Sequence, residues 1–225
     1  ITVPEGKAVS VPDGQIKLTQ VGALAYIAGS FDNIQDIIIN DLGYAATEIT
    51  IADLDNYNTL NNFDGIFFNC GKSEALDGNK YQNLLTYVNS GGSVYASDWA
   101  VEYLTGDGNA KGQQAHVLMP NQKTGCTPDV GGFIDDSLLC SDKLGPMGTV
   151  SAANILPADI QAYMGLSTID IEYDLGGWET ILELATPPWE VLIQDPVTYG
   201  PLAIRMTFPG SSKSGLEKQE WVTIC

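Results

Sequence analysis

The chain has 225 residues, 10 Lys+Arg against 28 Asp+Glu, and a formal net charge of −18. At 44% hydrophobic and only 17% charged residues it can fill a sizeable core, which excludes wholesale disorder and traces the acidity to missing Lys and Arg. With Arg205 its one arginine and its lysines scattered singly, the chain has no basic face for a phosphate backbone, and an anionic membrane surface is disfavoured for the same reason.

Residues 1–20 alternate apolar and polar positions around the turns PEG and PDG and read as an extended lead-in or hairpin. The remainder, 21–225, reads as a single domain. VGALAYIAG (21–29) is a short apolar run without alternation, as expected of a strand buried on both faces. A helix then follows, capped by Asp32, with Ile34, Ile37, Ile38 and Leu42 on one face and Gly43 ending it. TEITIAD (47–53) predicts a second strand and DGIFFNCG (64–71) a third. YQNLLTYVNSGG (81–92) places Leu84, Leu85 and Val88 at helical spacing before a glycine pair. SVYASDWAVEYL (93–104) opens as a fourth strand and turns helical. Strand and helix alternating through short connections predict a parallel sheet with helices on both faces.

Regularity ends after Thr105. Residues 105–150 are rich in Gly, Asn, Asp and Pro and read as irregular, within an insertion spanning about 105–156. PADIQAYMG (157–165) predicts a short helix with Pro157 in its first turn. WETILEL, PWEVLIQD, GPLAIRMTF and KQEWVTIC predict late strands that complete the sheet, including an antiparallel edge.

Four cysteines stand at Cys70, Cys126, Cys140 and Cys225. Cys126 and Cys140 bracket a Gly/Asp-rich stretch, and a disulfide there would close a loop of about 15 residues, worth about 3 kcal/mol in the chain-entropy model. Two unpaired buried thiols are the plainer alternative. Cys70 reads as a buried thiol or as a disulfide partner for Cys225. The chain opens at Ile1 without a methionine, as after removal of a leader, and no apolar run reaches the length of a membrane span. Scarce Lys and Arg with a candidate disulfide point to an extracellular, cell-surface or periplasmic protein.

The stretch 21–104 resembles the class I glutamine amidotransferase-like superfamily, a flavodoxin-like α/β fold, and in particular its non-amidotransferase, trehalose-utilisation-type branch. The resemblance rests on the first strand ending in AGS, the helix ending in LGY, the phrase YNTLNNFDGIFFNCG, and LLTYVNSGGSVYASDWA. It implies a three-layer sandwich with a mainly parallel central sheet. It also implies an oxyanion-type turn at Gly71 and a nucleophilic elbow after the fourth strand, where Asp98 replaces the cysteine. A carboxylate cannot replace a thiolate in that acyl transfer. The lone histidine, His116, falls too early for the family's late H-x-E, so glutamine hydrolysis is not expected.

Ser97, Asp98 and His116 do not form a convincing hydrolase triad, because YASDWA lacks the two glycines that a strained elbow wants. Asp98 reads most simply as a helix cap. Ser30, Asp32, Asn69, Asp98 and Glu102 all fall near the expected C-terminal ends of parallel strands. With Gly71 they outline a polar, acidic cleft suited to a sugar, a polyol or another polar small molecule. No phosphate or dinucleotide loop is present and no organic cofactor is expected. Calcium is the metal best suited to such oxygens, with Asp107, Asn109, Asp135 and Asp136 as further candidates. Solvated loop carboxylates are the bland alternative.

The expected function is a non-catalytic secreted or cell-surface binding or structural module. One rival is a carbohydrate-directed hydrolase using Asp98 and Glu102. Another is a building block of an extracellular assembly, self-associating through the N-terminal strand.

Overall fold

The structure, a computed structural model, describes residues 22–71, 76, 78–101, 103, 139–184, 189–208 and 219–224. Four short strands open the sheet: β1 (Leu24–Ile27), β2 (Ala46–Ile49), β3 (Gly65–Phe68) and β4 (Ser93–Ser97). They lie parallel in the order β2-β1-β3-β4. Chain direction across the sheet reverses after β2. With right-handed crossovers, the segment after β1 therefore goes to one face and those after β2 and β3 to the other. Helices α2 (Tyr57–Leu60) and α3 (Gly78–Asn89) accordingly pack against each other. They cover the face that carries Ala25, Ile27, Ile66, Phe68, Val94 and Ala96, all buried. From α3, Leu84, Tyr87 and Val88 enter the same core, each fully buried apolar side chain worth about 1.5–3 kcal/mol.

The segment after β1 departs from the expected long helix. One α-turn, α1 (Ile34–Asp36), widens at once into a π-turn, Ile37–Asp41, closed by Leu42 N–H on Ile37 C=O at 2.9 Å. A π-turn carries later residues off a 3.6-residue stripe. Of the predicted face only Ile38 is buried, while Ile37 and Leu42 are 52% and 56% exposed. Gly43 ends the segment at φ 70° as its position predicts. Asp32 does not cap it: Asn33 holds the cap position without a side-chain bond.

The second strand is also shorter than TEITIAD suggests. Asp53 accepts hydrogen bonds from Thr50 N–H and Thr50 Oγ, both at 2.7 Å, and this pulls the chain into a 3-10 turn, Ile51–Asp55. Those two bonds hold the Asp53 carboxyl below its ordinary pKa.

The second half supplies β5 (Leu139–Gly145), β6 (Gly148–Ile155), α4 (Ala158–Met164), β7 (Thr168–Tyr173), β8 (Trp178–Leu184), β9 (Trp189–Asp195), β10 (Gly200–Phe208) and β11 (Gln219–Ile224). Residues 139–145 and 148–155 are thus strands, where composition suggested an irregular insertion. Runs such as GTVSAANI sit among turn residues and lose their contrast in a composition average. The full sheet runs β2-β1-β3-β4-β11-β10-β9-β6-β7. Strand β11 is parallel to β4 and antiparallel to β10. The antiparallel part therefore extends well past a single edge strand. Strands β5 and β8 form a separate antiparallel pair, and β8 packs on β10 and on the turn that leaves β4. That packing carries residues 176–179 to the C-terminal ends of the parallel strands.

Candidate functional site

The loops after β1 and β3 touch backbone to backbone. Ser30 N–H and Phe31 N–H both donate to Cys70 C=O, at 2.9 and 3.2 Å. Only glycine fits the crossing: a Cβ on Gly29 would lie 1.8 Å from the Cys70 carbonyl oxygen. Gly71 takes φ 114°, and a Cβ there would lie 2.3 Å from Ser30 N. Asn69 is buried and ties the same loops together. Its Oδ1 accepts from Ile34 N–H at 3.2 Å and its Nδ2 donates to Gln35 Oε1 at 2.7 Å.

At the end of β4 the chain turns sharply into a 3-10 turn, Asp98–Val101, with Asp98 at φ 45°. A non-glycine residue in this left-handed region costs about 1–2 kcal/mol. The elbow therefore forms without flanking glycines, contrary to what YASDWA suggests. Aspartate is among the residues that tolerate the left-handed region, and its carboxylate is held from two other elements. Oδ1 accepts from Glu179 N–H on β8 at 2.8 Å, and Oδ2 from the Cys70 thiol at 3.1 Å. These bonds engage both oxygens of the side chain that the sequence assigned to a simple helix cap.

Cys70 is a free, buried thiol. Burial pushes its pKa well above the ordinary thiol value, and the neighbouring Asp98 and Asp32 carboxylates push it the same way. A protonated donor to Asp98 is the opposite of an activated nucleophile. Ser97 lies beside it: its hydroxyl donates to Asp32 Oδ2 and receives Cys70 N–H at 3.1 Å. Asp32 Oδ2 also receives Cys70 N–H at 3.3 Å. Asp32 thus binds back to β3 and β4 rather than capping α1.

Above this floor opens a cleft of about 630 Å³. Asp32, Cys70, Ser97 and Asp98 line its base. Phe31 and Trp99 form one side, edge to face at 5.6 Å, with Trp99 Nε1 pinned on Gly177 C=O at 2.7 Å. A second part of the lining comes from the β7–β8 turn, with Glu172, Tyr173, Asp174 and Trp178. Tyr173 stacks flat on Trp178 at 4.0 Å, and Trp178 Nε1 donates to Pro146 C=O at 2.8 Å.

Of the sequence candidates, Asp32 and Asp98 face the cleft. Ser30, Asn69 and Gly71 do not line it; they shape the loops beneath. Glu102, Asp107, Asn109, His116, Cys126, Asp135, Asp136 and Cys225 lie outside the described residues, as do residues 1–20 and the side chain of Cys140. Neither the Cys126–Cys140 bridge nor the calcium candidates therefore have a described geometry. Among the described residues no group of three or more His, Cys, Asp or Glu is placed to hold a metal ion. Sequence reasoning anticipated β8 as a strand but missed β7 and the placing of the β7–β8 turn at the site. The signal for β7 was the alternation in TIDIEY followed by the turn DLGG.

No family model matches the chain, and no curated protein matches it. Solved structures do. A candidate GMP synthase component from Thermoplasma acidophilum superposes with a TM-score of 0.52 at 10% identity, over 92% of this chain and 84% of that one. A ThuA-like protein from Bacteroides uniformis superposes at 0.47 with 11% identity, over 90% and 80% of the two chains. What the first of these shares with the chain is the fold. It is the amidotransferase-like, flavodoxin-type α/β arrangement, and at such identities it carries no activity with it.

Proposed function

We propose that this chain is a non-catalytic binding module for a polar small molecule, built on an amidotransferase-like frame of the trehalose-utilisation type. The observation that carries the reading is the elbow residue. Asp98 occupies the strained turn where the fold's enzymes present a nucleophile, and both its oxygens already accept hydrogen bonds. The thiol within reach is buried and kept protonated, so it supplies no thiolate for acyl transfer. What remains is a preformed cleft with polar groups at its base and aromatic rings on its sides, the usual anatomy of a small-molecule site. The hydrolase alternative asks Asp98 to exchange protons with substrate, which its two fixed partners oppose.

An extracytoplasmic location belongs to the same reading, supported by the scarcity of Lys and Arg, and so does a Cys126–Cys140 bridge. The test is a screen of sugars, polyols, amino acids and amines by thermal shift, with every hit followed for both binding and chemical change. Saturable binding without conversion, weakened by Trp99→Ala, is the expected result. Conversion of a bound compound would overturn the non-catalytic reading.

A further inference from the structure

The lining of the cleft combines two kinds of group that select a ligand more narrowly than "polar". Four of its lining residues carry carboxylates: Asp32 and Asp98 at the base, Glu172 and Asp174 at the β7–β8 turn. Among the described lining residues none is Lys, Arg or His. Two described cations are engaged elsewhere, Lys80 with Asp55 at 3.2 Å and Arg205 with Glu190 at 2.6 Å. In a chain of net charge −18, a concave surface whose described charged groups are all carboxylates concentrates negative potential and repels anions.

Between the acids stand aromatic rings that keep part of their surface open. Phe31 is 51% exposed, and Trp99 and Tyr173 are half-buried. Two of these are fixed in place, Trp99 by its indole bond to Gly177 and Tyr173 by stacking on Trp178. Rigid aromatic faces attract a cation through the ring quadrupole and offer apolar contact to alkyl groups around it. Neutral sugars would stack on the rings and donate hydroxyls to the carboxylates, but they would leave the negative charge of the cleft unbalanced. Inorganic cations would use the carboxylates but gain nothing from the rings.

We propose that the ligand is an organic cation, an alkylated or quaternary ammonium compound, whose charged head lies in this cleft among the rings of Phe31, Trp99 and Tyr173 and the carboxylates. The proposal rests on the binding-module reading and narrows it to a ligand class. The head group meets the aromatic faces, and the carboxylates compensate its charge without stripping a compact ammonium of its full hydration.

The experiment titrates the intact chain with choline, with its neutral isostere 3,3-dimethylbutan-1-ol, and with glucose. Calorimetry reads the affinity and the Trp99 indole N–H resonance reads the location. Choline is expected to shift that resonance and to bind at least about 10-fold tighter than the isostere, equivalent to ~1.4 kcal/mol. Its affinity should fall with added salt. The exposed substitutions Glu172→Gln and Asp174→Asn, which leave the fold intact, should weaken choline several-fold and leave the isostere unchanged. Equal affinity for choline and isostere overturns the inference, as does binding of glucose alone, and in both cases the binding-module reading stands. Failure of choline to move the Trp99 resonance also overturns it. Chemical conversion of a bound probe overturns the non-catalytic reading and leaves the ligand class intact.

Discussion

The Cys70 thiol donates a hydrogen bond to the Asp98 carboxylate at 3.1 Å, joining the end of β3 to the elbow that follows β4. Burial and two adjacent carboxylates keep that thiol protonated. Native protein is therefore expected to resist iodoacetamide at pH 8, while Asp98→Asn, which removes a negative charge, lowers the Cys70 pKa and speeds alkylation. Mass spectrometry of trypsin-digested samples over a time course measures the change; equal rates in both proteins would contradict the coupling.

The same group sets an alkaline limit on stability. In the unfolded chain a cysteine ionises near pH 8.5, whereas folded Cys70 holds its proton, so above about pH 8.5 the unfolded state binds fewer protons than the native one. Stability is then lost as pH rises. Buried Tyr87, whose pKa is also raised by burial and by Asp64, adds a further loss above about pH 10. Urea unfolding between pH 7 and 10 is expected to show this decline, and Cys70→Ser should flatten the part below pH 10.

At the elbow, substitution separates backbone strain from hydrogen bonding. Asp98→Ala retains the φ of 45° without the acceptor for Glu179 N–H, for an expected loss of about 2–3 kcal/mol. Asp98→Asn tolerates the left-handed region and keeps an acceptor oxygen, so it should cost less than half as much. Denaturant midpoints for the two variants decide it.

Gly29→Ala should be more harmful than any cleft substitution. Its methyl group would meet the Cys70 carbonyl at 1.8 Å, and relieving that contact means parting the loops whose backbone bonds hold the floor together. A loss of about 3 kcal/mol or more is expected, together with exposure of Cys70 to alkylation. Thermal melting and thiol labelling read the two effects.

Buried Asp195 anchors the turn between β9 and β10. Burial pushes its pKa up, but N–H groups of Tyr199, Val197 and Thr198 at 2.7, 3.1 and 3.0 Å outweigh that and hold it below the ordinary value. Its contribution is present above the unfolded pKa of about 3.9 and vanishes as pH falls through the lower folded value. Asp195→Ala should destabilise by about 2 kcal/mol at pH 7 and by much less at pH 2. Urea midpoints at the two pH values provide the comparison.

The parallel half of the fold was legible because its strands are short, apolar and punctuated by glycine, and because Leu84, Leu85 and Val88 repeat at helical spacing. The widened turn at Ile37 was not legible, since the isoleucine spacing fits an ordinary helix and the choice depends on tertiary contacts. Half the site was visible: Asp32 and Asp98 were placed by their position after strands. Their actual partners were not, because Cys70 and Glu179 reach Asp98 from 28 and 81 residues away. Nothing local marks such meetings. Strand β8 was anticipated from WETILEL, but β7 was not, and nothing local showed that the turn between them would bring the rings of Tyr173 and Trp178 to the ends of the parallel strands.

Strand β11 lies between β4 and β10, the one element hydrogen-bonded to both the parallel and the antiparallel parts of the large sheet. Without residues 219–224 that sheet becomes two, each with an open edge along its middle rather than at its rim. Such edges are templates for pairing with other chains. A chain break between β10 and β11 would therefore make the strand a removable wedge, and its release would leave two sticky half-sheets facing each other across a gap. Ribosomal synthesis meets the same condition, since everything from β1 to β10 emerges before the strand that unites it.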